Sequence, residues 1–383
     1  MKWEIAKLGK IAIIRTGKLD SNAAVIGGRY PFFTCDPNTL SIDVWAYDTE
    51  AVLLAGNNAS GNYTAKYYKG KFNAYQRTYI IESANEEELN IRYLCYALNQ
   101  QLRLLKTMSS GSTTKFLTVR MLDNLDIPLF GINIQTQIVN ILSAYDDLIE
   151  NNQKQIKLLE EAAQRLYKEW FVNLRFPGHE NTKIVDGVPE GWNESTVESF
   201  GTVITGKTPP TSNKEYYTNG KVPFVTIPDM HNVVYPLKTE KRLTIEGAQT
   251  QKNKYIPPNS VMISCIGTVG LVCIATEVCQ TNQQINSIIL NNEDDLYFFY
   301  ESMLRMKDLL DGLGSNGATM TNVNKSKLEK LIIISPSKDI VKQYNDVCKP
   351  LFESALNLSR KNVYLKNMRE ALLPKLMSGE VEV

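Results

Sequence analysis

The stretch GSTTKFLTVRMLDNLDIPL (Gly111 to Leu129) returns 206 residues later as GATMTNVNKSKLEKLIIIS (Gly317 to Ser335). Other segments recur in the same order. Trp3 precedes Thr16-Gly17-Lys18 by thirteen residues, and Trp192 precedes Thr205-Gly206-Lys207 by thirteen, a shift of 189. Pro31-Phe32 and Thr34 reappear as Pro223-Phe224 and Thr226, shifted by 192. Asn73-Ala-Tyr-Gln76 followed by Ile80-Ile81 echoes Thr281-Asn-Gln-Gln284 followed by Ile288-Ile289, shifted by 208. A fixed order with small drift is the mark of a duplicated unit of about 200 residues.

Each unit ends in a helical stretch. In the first, Leu142, Ile149, Ile156, Ala163 and Trp170 fall seven apart, with Tyr145, Asn152, Leu159 and Leu166 three residues after the first four. In the second, Leu351, Leu358, Leu365 and Leu372 fall seven apart, with Ala355, Asn362, Arg369 and Leu376 four residues after each. Such paired seams define a coiled coil, and an Asn within one costs stability while fixing register. Packing of each helix on its own domain is the alternative. Two similar helices in one chain favour mutual pairing.

Between the helices lie short β-like runs: AVLLAG (Ala51 to Gly56), RTYII (Arg77 to Ile81), SVMISCIG (Ser260 to Gly267) and KLIIIS (Lys330 to Ser335). Turn residues interrupt them. LNIRYLCYALNQQLRLL (Leu89 to Leu105) reads as a short helix, with a counterpart in DDLYFFYESMLRMKDLL (Asp294 to Leu310). The fold class is therefore α/β (α+β): two globules in tandem, each followed by a long helix. Boundaries are expected at 1–130 for the first globule, 131–176 for the first helix, 177–192 for a Pro- and Gly-rich linker, 193–336 for the second globule and 337–383 for the second helix.

The 383 residues suffice for several cores, and 43% hydrophobic with 22% charged residues excludes wholesale disorder. No apolar run reaches the ~20 residues that cross a bilayer, and MKWEIAKLGK is no signal peptide, so a cytoplasmic protein with reduced cysteines is expected. A net charge of +1 argues weakly against a nucleic-acid binder.

Gly201-Thr-Val-Ile-Thr-Gly206-Lys207-Thr208 matches the phosphate-loop pattern, but Pro209-Pro210-Thr211-Ser212-Asn213 leaves no helix to dock a phosphate. His179 and His231 stand apart, and Cys265, Cys273 and Cys279 lack zinc-site spacing. The acid pairs Asp146-Asp147 and Glu160-Glu161 fall on the heptad helix, where solvated faces are ordinary. With no convincing catalytic set, the chain reads as a binding or scaffolding protein, not an enzyme. Two basic clusters stand out, Lys66, Lys69 and Lys71 among Tyr67, Tyr68 and Phe72, and Lys238, Lys241 and Arg242 ahead of Lys252 and Lys254. Such mixtures can hold phosphates and read base edges, although a solvated lysine face is the plainer alternative.

Taken together, the chain resembles the specificity subunit of type I restriction-modification systems. The resemblance rests on ITGKTPPTSNKEYYTNGKVPFVTIPDM (Ile204 to Met230), GVPEGW (Gly187 to Trp192), TNQQINSII (Thr281 to Ile289), REALLPKLMSGEV (Arg369 to Val381) and the helix from Ile134 to Phe171. The first globule departs from the pattern with Leu19-Asp20-Ser21-Asn22 after its Gly-Lys pair. The resemblance implies that each globule is a target-recognition domain reading one half of a bipartite double-stranded DNA sequence. It implies long helices paired antiparallel, two DNA methyltransferase subunits and restriction subunits as partners, and no membrane association. S-adenosylmethionine, ATP and magnesium would sit on those partners, with no cofactor or metal on this chain.

The seam from Leu142 to Trp170 is 29 residues, about 43 Å, or roughly 13 base pairs between domain centres. The seam residues are Leu142, Ile149, Asn152, Ile156, Leu159 and Leu166 opposite Leu351, Leu358, Asn362, Leu365 and Leu372. DNA contacts are expected at Lys18, Arg29, Lys66, Lys69, Lys71 and Arg77 in the first domain. In the second they are expected at Lys207, Thr208, Thr211, Ser212, Asn213, Lys214 and Asp229. The polar turns Ser112, Thr113, Thr114 and Lys115, and Asn316, Thr319, Thr321 and Asn322, are secondary choices. Weak DNA binding by the chain alone and tight binding in an assembly follow from its near-zero charge.

Overall fold

The computed structural model describes residues 3–58, 63, 65–108, 115–314 and 322–383. It divides into two compact units, Met1–Ile149 with Tyr364–Val383, and Glu150–Val363, so that each unit takes a piece of both long helices.

The first unit runs β1 (Glu4–Lys7), α1 (Leu8–Ile11), β2 (Ala12–Thr16), β3 (Tyr30–Phe33), β4 (Leu40–Ile42), β5 (Tyr47–Ala55), β6 (Asn57–Asn58), β7 (Ala65–Ala74), β8 (Thr78–Ser83), α2 (Ile91–Met108), β9 (Lys115–Phe116), α3 (Val119–Asp123) and β10 (Asp126–Leu129), then enters α4 (Ile132–Tyr167). Its main sheet has the order β2-β8-β5-β7-β3-β4. Pairing is antiparallel except where β3 meets β7, with Phe32 opposite Asn73. The central strand reads as an unbroken apolar run because both faces are covered. Val52 and Leu54 face the core built with Leu94 and Leu98 of α2 and Leu142 of α4. Ala51 and Leu53 face a second cluster with Phe33, Phe72 and Ile80.

After α4 a single π-turn spans Lys168–Val172. The second unit then runs β11 (Ile184–Val185), β12 (Val188–Pro189), β13 (Asn193–Thr196), α5 (Val197–Phe200), β14 (Gly201–Thr205), β15 (Val222–Val225), β16 (Lys241–Leu243), α6 (Ile245–Gln249), β17 (Val261–Ser264), β18 (Val272–Ile274), β19 (Gln280–Thr281), β20 (Ile285–Leu290), α7 (Leu296–Arg305), α8 (Lys307–Gly314), α9 (Lys325–Glu329) and β21 (Ile332–Ser335), and ends in α10 (Lys338–Met377). Its sheets have the orders β14-β20-β17-β18 and β16-β15-β19.

The duplication is visible in the registers. Lys7 pairs with Asp126 in β1/β10, and Thr196 pairs with Ile332 in β13/β21, shifts of 189 and 206 as the sequence gives them. The parallel contact of β3 with β7 returns in β15/β19, with Phe224 opposite Gln280. Thr16 faces Tyr79 and Thr205 faces Asn286, so β8 maps on β20 with a shift of 207, not 208. The Ile-Ile dipeptides invite the longer shift, but strand pairing with β2 and β14 sets the shorter one.

Within the second unit α4 and α10 run antiparallel, since Asn152 bonds Asn362 while Tyr344 Oη donates to the Ala163 carbonyl. Within the first unit Leu142 shares a core with Leu376 and Met377. At the expected seam positions Leu142, Ile149, Asn152, Asn362 and Leu365 are buried, and Ile156, Leu159, Leu166, Leu351, Leu358 and Leu372 are half-buried. All six cysteines are free thiols, five of them buried. Among the described residues no helix is long and apolar enough to cross a membrane.

Candidate nucleic-acid interface

The clearest repeated feature outside the cores lies at one end of each sheet, where β2 and β14 run into a Gly-Lys pair. The Gly17 amide donates to the Thr78 carbonyl at 3.1 Å, and the Gly206 amide to the Ile285 carbonyl at 3.0 Å. A Cβ on Gly17 would lie 2.1 Å from the Ala74 carbonyl oxygen, and one on Gly206 would lie 2.1 Å from that of Asn282. Both positions need glycine because backbone passes against backbone there. The Lys207 amide donates to Thr281 O at 3.0 Å. The amides that a phosphate cradle would turn outward are thus spent within the sheet, and the following residues form a turn and a 3₁₀ turn at Lys214–Tyr216, with no α-helix.

In the second unit this end gathers several polar groups. Thr208 Oγ1 donates to Gln283 Oε1 at 2.6 Å. Asn282 Nδ2 donates to Gln284 Oε1, and Gln284 Nε2 reaches the Ile266 carbonyl. Ile266 in turn bridges to exposed Asn322. Lys207, Thr211, Ser212 and Lys214 are exposed along the loop, while Asn213 Oδ1 caps the 3₁₀ turn by accepting from the Glu215 amide. Asp229 is engaged locally: Oδ2 accepts from the amide and hydroxyl of Thr226, and Oδ1 from the Glu240 amide.

The first unit repeats the plan with different side chains. Gln76 Nε2 donates to Asp20 Oδ1 at 2.6 Å, tying the turn before β8 to the loop after exposed Lys18. Asn57 pairs with Phe116 where the second unit has Ile266 with Asn322. Cys35 Sγ donates to Asn57 Oδ1 and to the carbonyl of exposed Arg77, and burial pushes the thiol pKa up.

The lysine cluster of β7 is not one patch. Lys66 reaches the Asp36 carbonyl and Thr39 Oγ1, and burial lowers its ammonium pKa. Lys69 lies on the opposite face, 2.8 Å from Glu50, which also accepts from Tyr67 Oη and raises the ammonium pKa. Strand alternation separates the two. Lys71 stands over the Trp45 ring at 4.7 Å. Arg29 lies beside Asp43 and Tyr30, at the other end of β3 from Cys35. Lys18, Lys66 and Arg77 therefore share the loop end, whereas Arg29, Lys69 and Lys71 do not. Ser112, Thr113, Thr114, Asn316, Thr319 and Thr321 lie outside the described residues, as does the side chain of Lys115, whose backbone is in β9.

Gln76 and Gln283 escaped sequence reasoning as site residues. The repeat contains them, but a shift of 208 aligns Gln76 with Gln284 and hides their equivalence. Among the described residues no group of three or more His, Cys, Asp or Glu could hold a metal ion.

Residues 1–161 and 189–363 match the family model of the type I restriction modification DNA specificity domain. The HindI specificity subunit of a type I restriction enzyme from Haemophilus influenzae is 32% identical over 352 residues, covering 76% of each chain. The MjaIX specificity subunit from Methanocaldococcus jannaschii is 29% identical over 303 residues, covering 76% of this chain and 68% of that one. Among solved structures, the S subunit of a type I restriction-modification system from M. genitalium has a TM-score of 0.61 at 16% identity, over 98% of this chain and 96% of that one. At that identity the likeness is one of fold.

Proposed function

This chain belongs to the type I restriction-modification DNA specificity family, and on that premise we propose how its two units divide the work of recognition. Each unit reads one half of a bipartite double-stranded target through its loop end. The paired helices set the unspecified gap between the half-sites and dock two methyltransferase subunits. Restriction subunits join for cleavage, and the complex works in the cytoplasm. The chain itself carries out no chemistry, and S-adenosylmethionine, ATP and magnesium are held by those partners.

The observation that carries this reading is the pair of loop ends. Their frame is the same, with glycines at equivalent contacts and equivalent strand bridges, but Leu19-Asp20-Ser21-Asn22 stands where the other unit has Thr208-Pro-Pro-Thr211. Equal scaffolds with unequal polar loops suit two readers of different base sequences. Lys18, Lys66 and Arg77, and Lys207 and Lys214, are the cations placed to hold phosphates there. Lys69, already beside Glu50, and Asp229, whose oxygens serve backbone amides, are weaker candidates.

The deciding experiment reconstitutes the chain with its methyltransferase subunits and sequences the methylated sites. Two short motifs at a fixed separation are expected. Methylation without a defined sequence would overturn the proposal.

A further inference from the structure

Two exposed glutamines occupy the same place in the two units. Gln76 lies two residues before Thr78, whose carbonyl takes the Gly17 amide, and Gln283 lies two residues before Ile285, whose carbonyl takes the Gly206 amide. Each side chain crosses to the loop behind the Gly-Lys pair, Gln76 to Asp20 and Gln283 to Thr208, both at 2.6 Å. The partner differs in position as well as in type. Asp20 is the third residue after Gly17, whereas Thr208 is the second after Gly206. The same bridge is thus made to two loops of different course.

We infer that Gln76 and Gln283 are positioning residues, each latching the DNA-reading loop of its own unit to the turn that leads into the central strands. The inference rests on the DNA-reading function proposed above. A loop that follows a glycine and carries polar side chains has many conformations of similar energy, and ordering it before DNA arrives spares that entropy on binding. Two connections supply the order. The backbone bonds Leu19 N to Ala74 O and Lys207 N to Thr281 O hold the start of each loop, and the glutamine amide holds the next residues. In the first unit the latch has a fixed polarity: a carboxylate accepts only, so the amide nitrogen of Gln76 must face Asp20. In the second unit the hydroxyl of Thr208 serves.

The test uses the complete complex with methyltransferase subunits and a randomised DNA library, reading methylated sites by sequencing. Q283A and T208V should each weaken modification about five- to ten-fold, the loss expected for one hydrogen bond. Base discrimination should fall in one half-site only, and the double variant should be no worse than either single. Q76A and D20A should do the same to the other half-site, and D20N, which keeps an acceptor, should restore it. The melting temperature should not move in any of them. Loss of discrimination in both halves alike, additive doubles, or an unchanged pattern in Q76A and Q283A would each overturn the latch while leaving DNA reading intact. A wild-type complex without any defined sequence would instead overturn both.

Discussion

Asn152 Nδ2 donates to Asn362 Oδ1 at 2.8 Å, joining the two long helices side chain to side chain across 210 positions, with both residues buried. Neighbouring seam positions are apolar, so each amide has given up water, and this bond forms only when the helices are correctly aligned. N152A would leave the Asn362 oxygen without this donor and should cost about 1–3 kcal/mol. Replacing both residues by Leu should recover or exceed wild-type stability while allowing the helices to slip. Denaturant unfolding of the singles and the double measures the coupling. A double as unstable as the sum of the singles would contradict it.

Glu301 is 2% exposed on α7, and burial pushes its pKa up to about 8, with Glu160 adding to the rise and Arg305 opposing it. A carboxyl raised in the folded state binds its proton more tightly there than in the unfolded chain. Its cost is absent below the ordinary carboxylate pKa near 4.5, grows as pH rises towards about 8, and is complete above that value. At pH 7 it amounts to about 3 kcal/mol. E301Q should therefore melt higher than wild type at pH 7–8, with the gap closing towards pH 5. Melting curves across that range would refute it if the gap stayed constant.

The heptads and the order of repeats could be read because both are periodic or local properties of the chain. Leu142, Asn152, Asn362 and Leu365, which the spacing picks out, are buried. Lys66, Lys69 and Lys71 could not be read so, because Lys66 and Lys69, an odd number apart in one strand, point to opposite faces, and Lys71 meets Trp45, a partner distant in the chain that no spacing encodes. Asp229 is expected from the sequence as a DNA contact, yet the chain folds Thr226 and Glu240 onto it as a capping box and a cross-loop bond. The equivalence of Gln76 and Gln283 depended on one residue of register, which only pairing with the edge strands decides.

The glycines at the loop ends invite a direct test. A methyl group at position 206 would sit 2.2 Å from Thr281 Oγ1 and 2.1 Å from Asn282 O, so the strand turn must open. G206A should weaken recognition of one half-site at least ten-fold and G17A of the other, each lowering stability by about 1–3 kcal/mol. Binding of half-site variants by the assembled complex separates the two. Equal losses on both half-sites from either substitution would count against independent readers.

If the helix pair sets the gap, its length is a ruler. Adding one seven-residue heptad to each long helix keeps the seam in phase and lengthens it by about 10 Å, close to three base pairs. The separation between the two methylated motifs should grow by about that number, while the motifs themselves stay the same, because neither loop end is altered. Adding two residues instead would turn the seam through about 200° and place polar side chains where Ile156 and Leu358 now pack, so that variant should lose stability rather than shift the gap. Sequencing of sites methylated by the two variants distinguishes these outcomes. A gap that stays fixed in the heptad variant, with the complex still assembled, would show that something other than the helices spaces the half-sites.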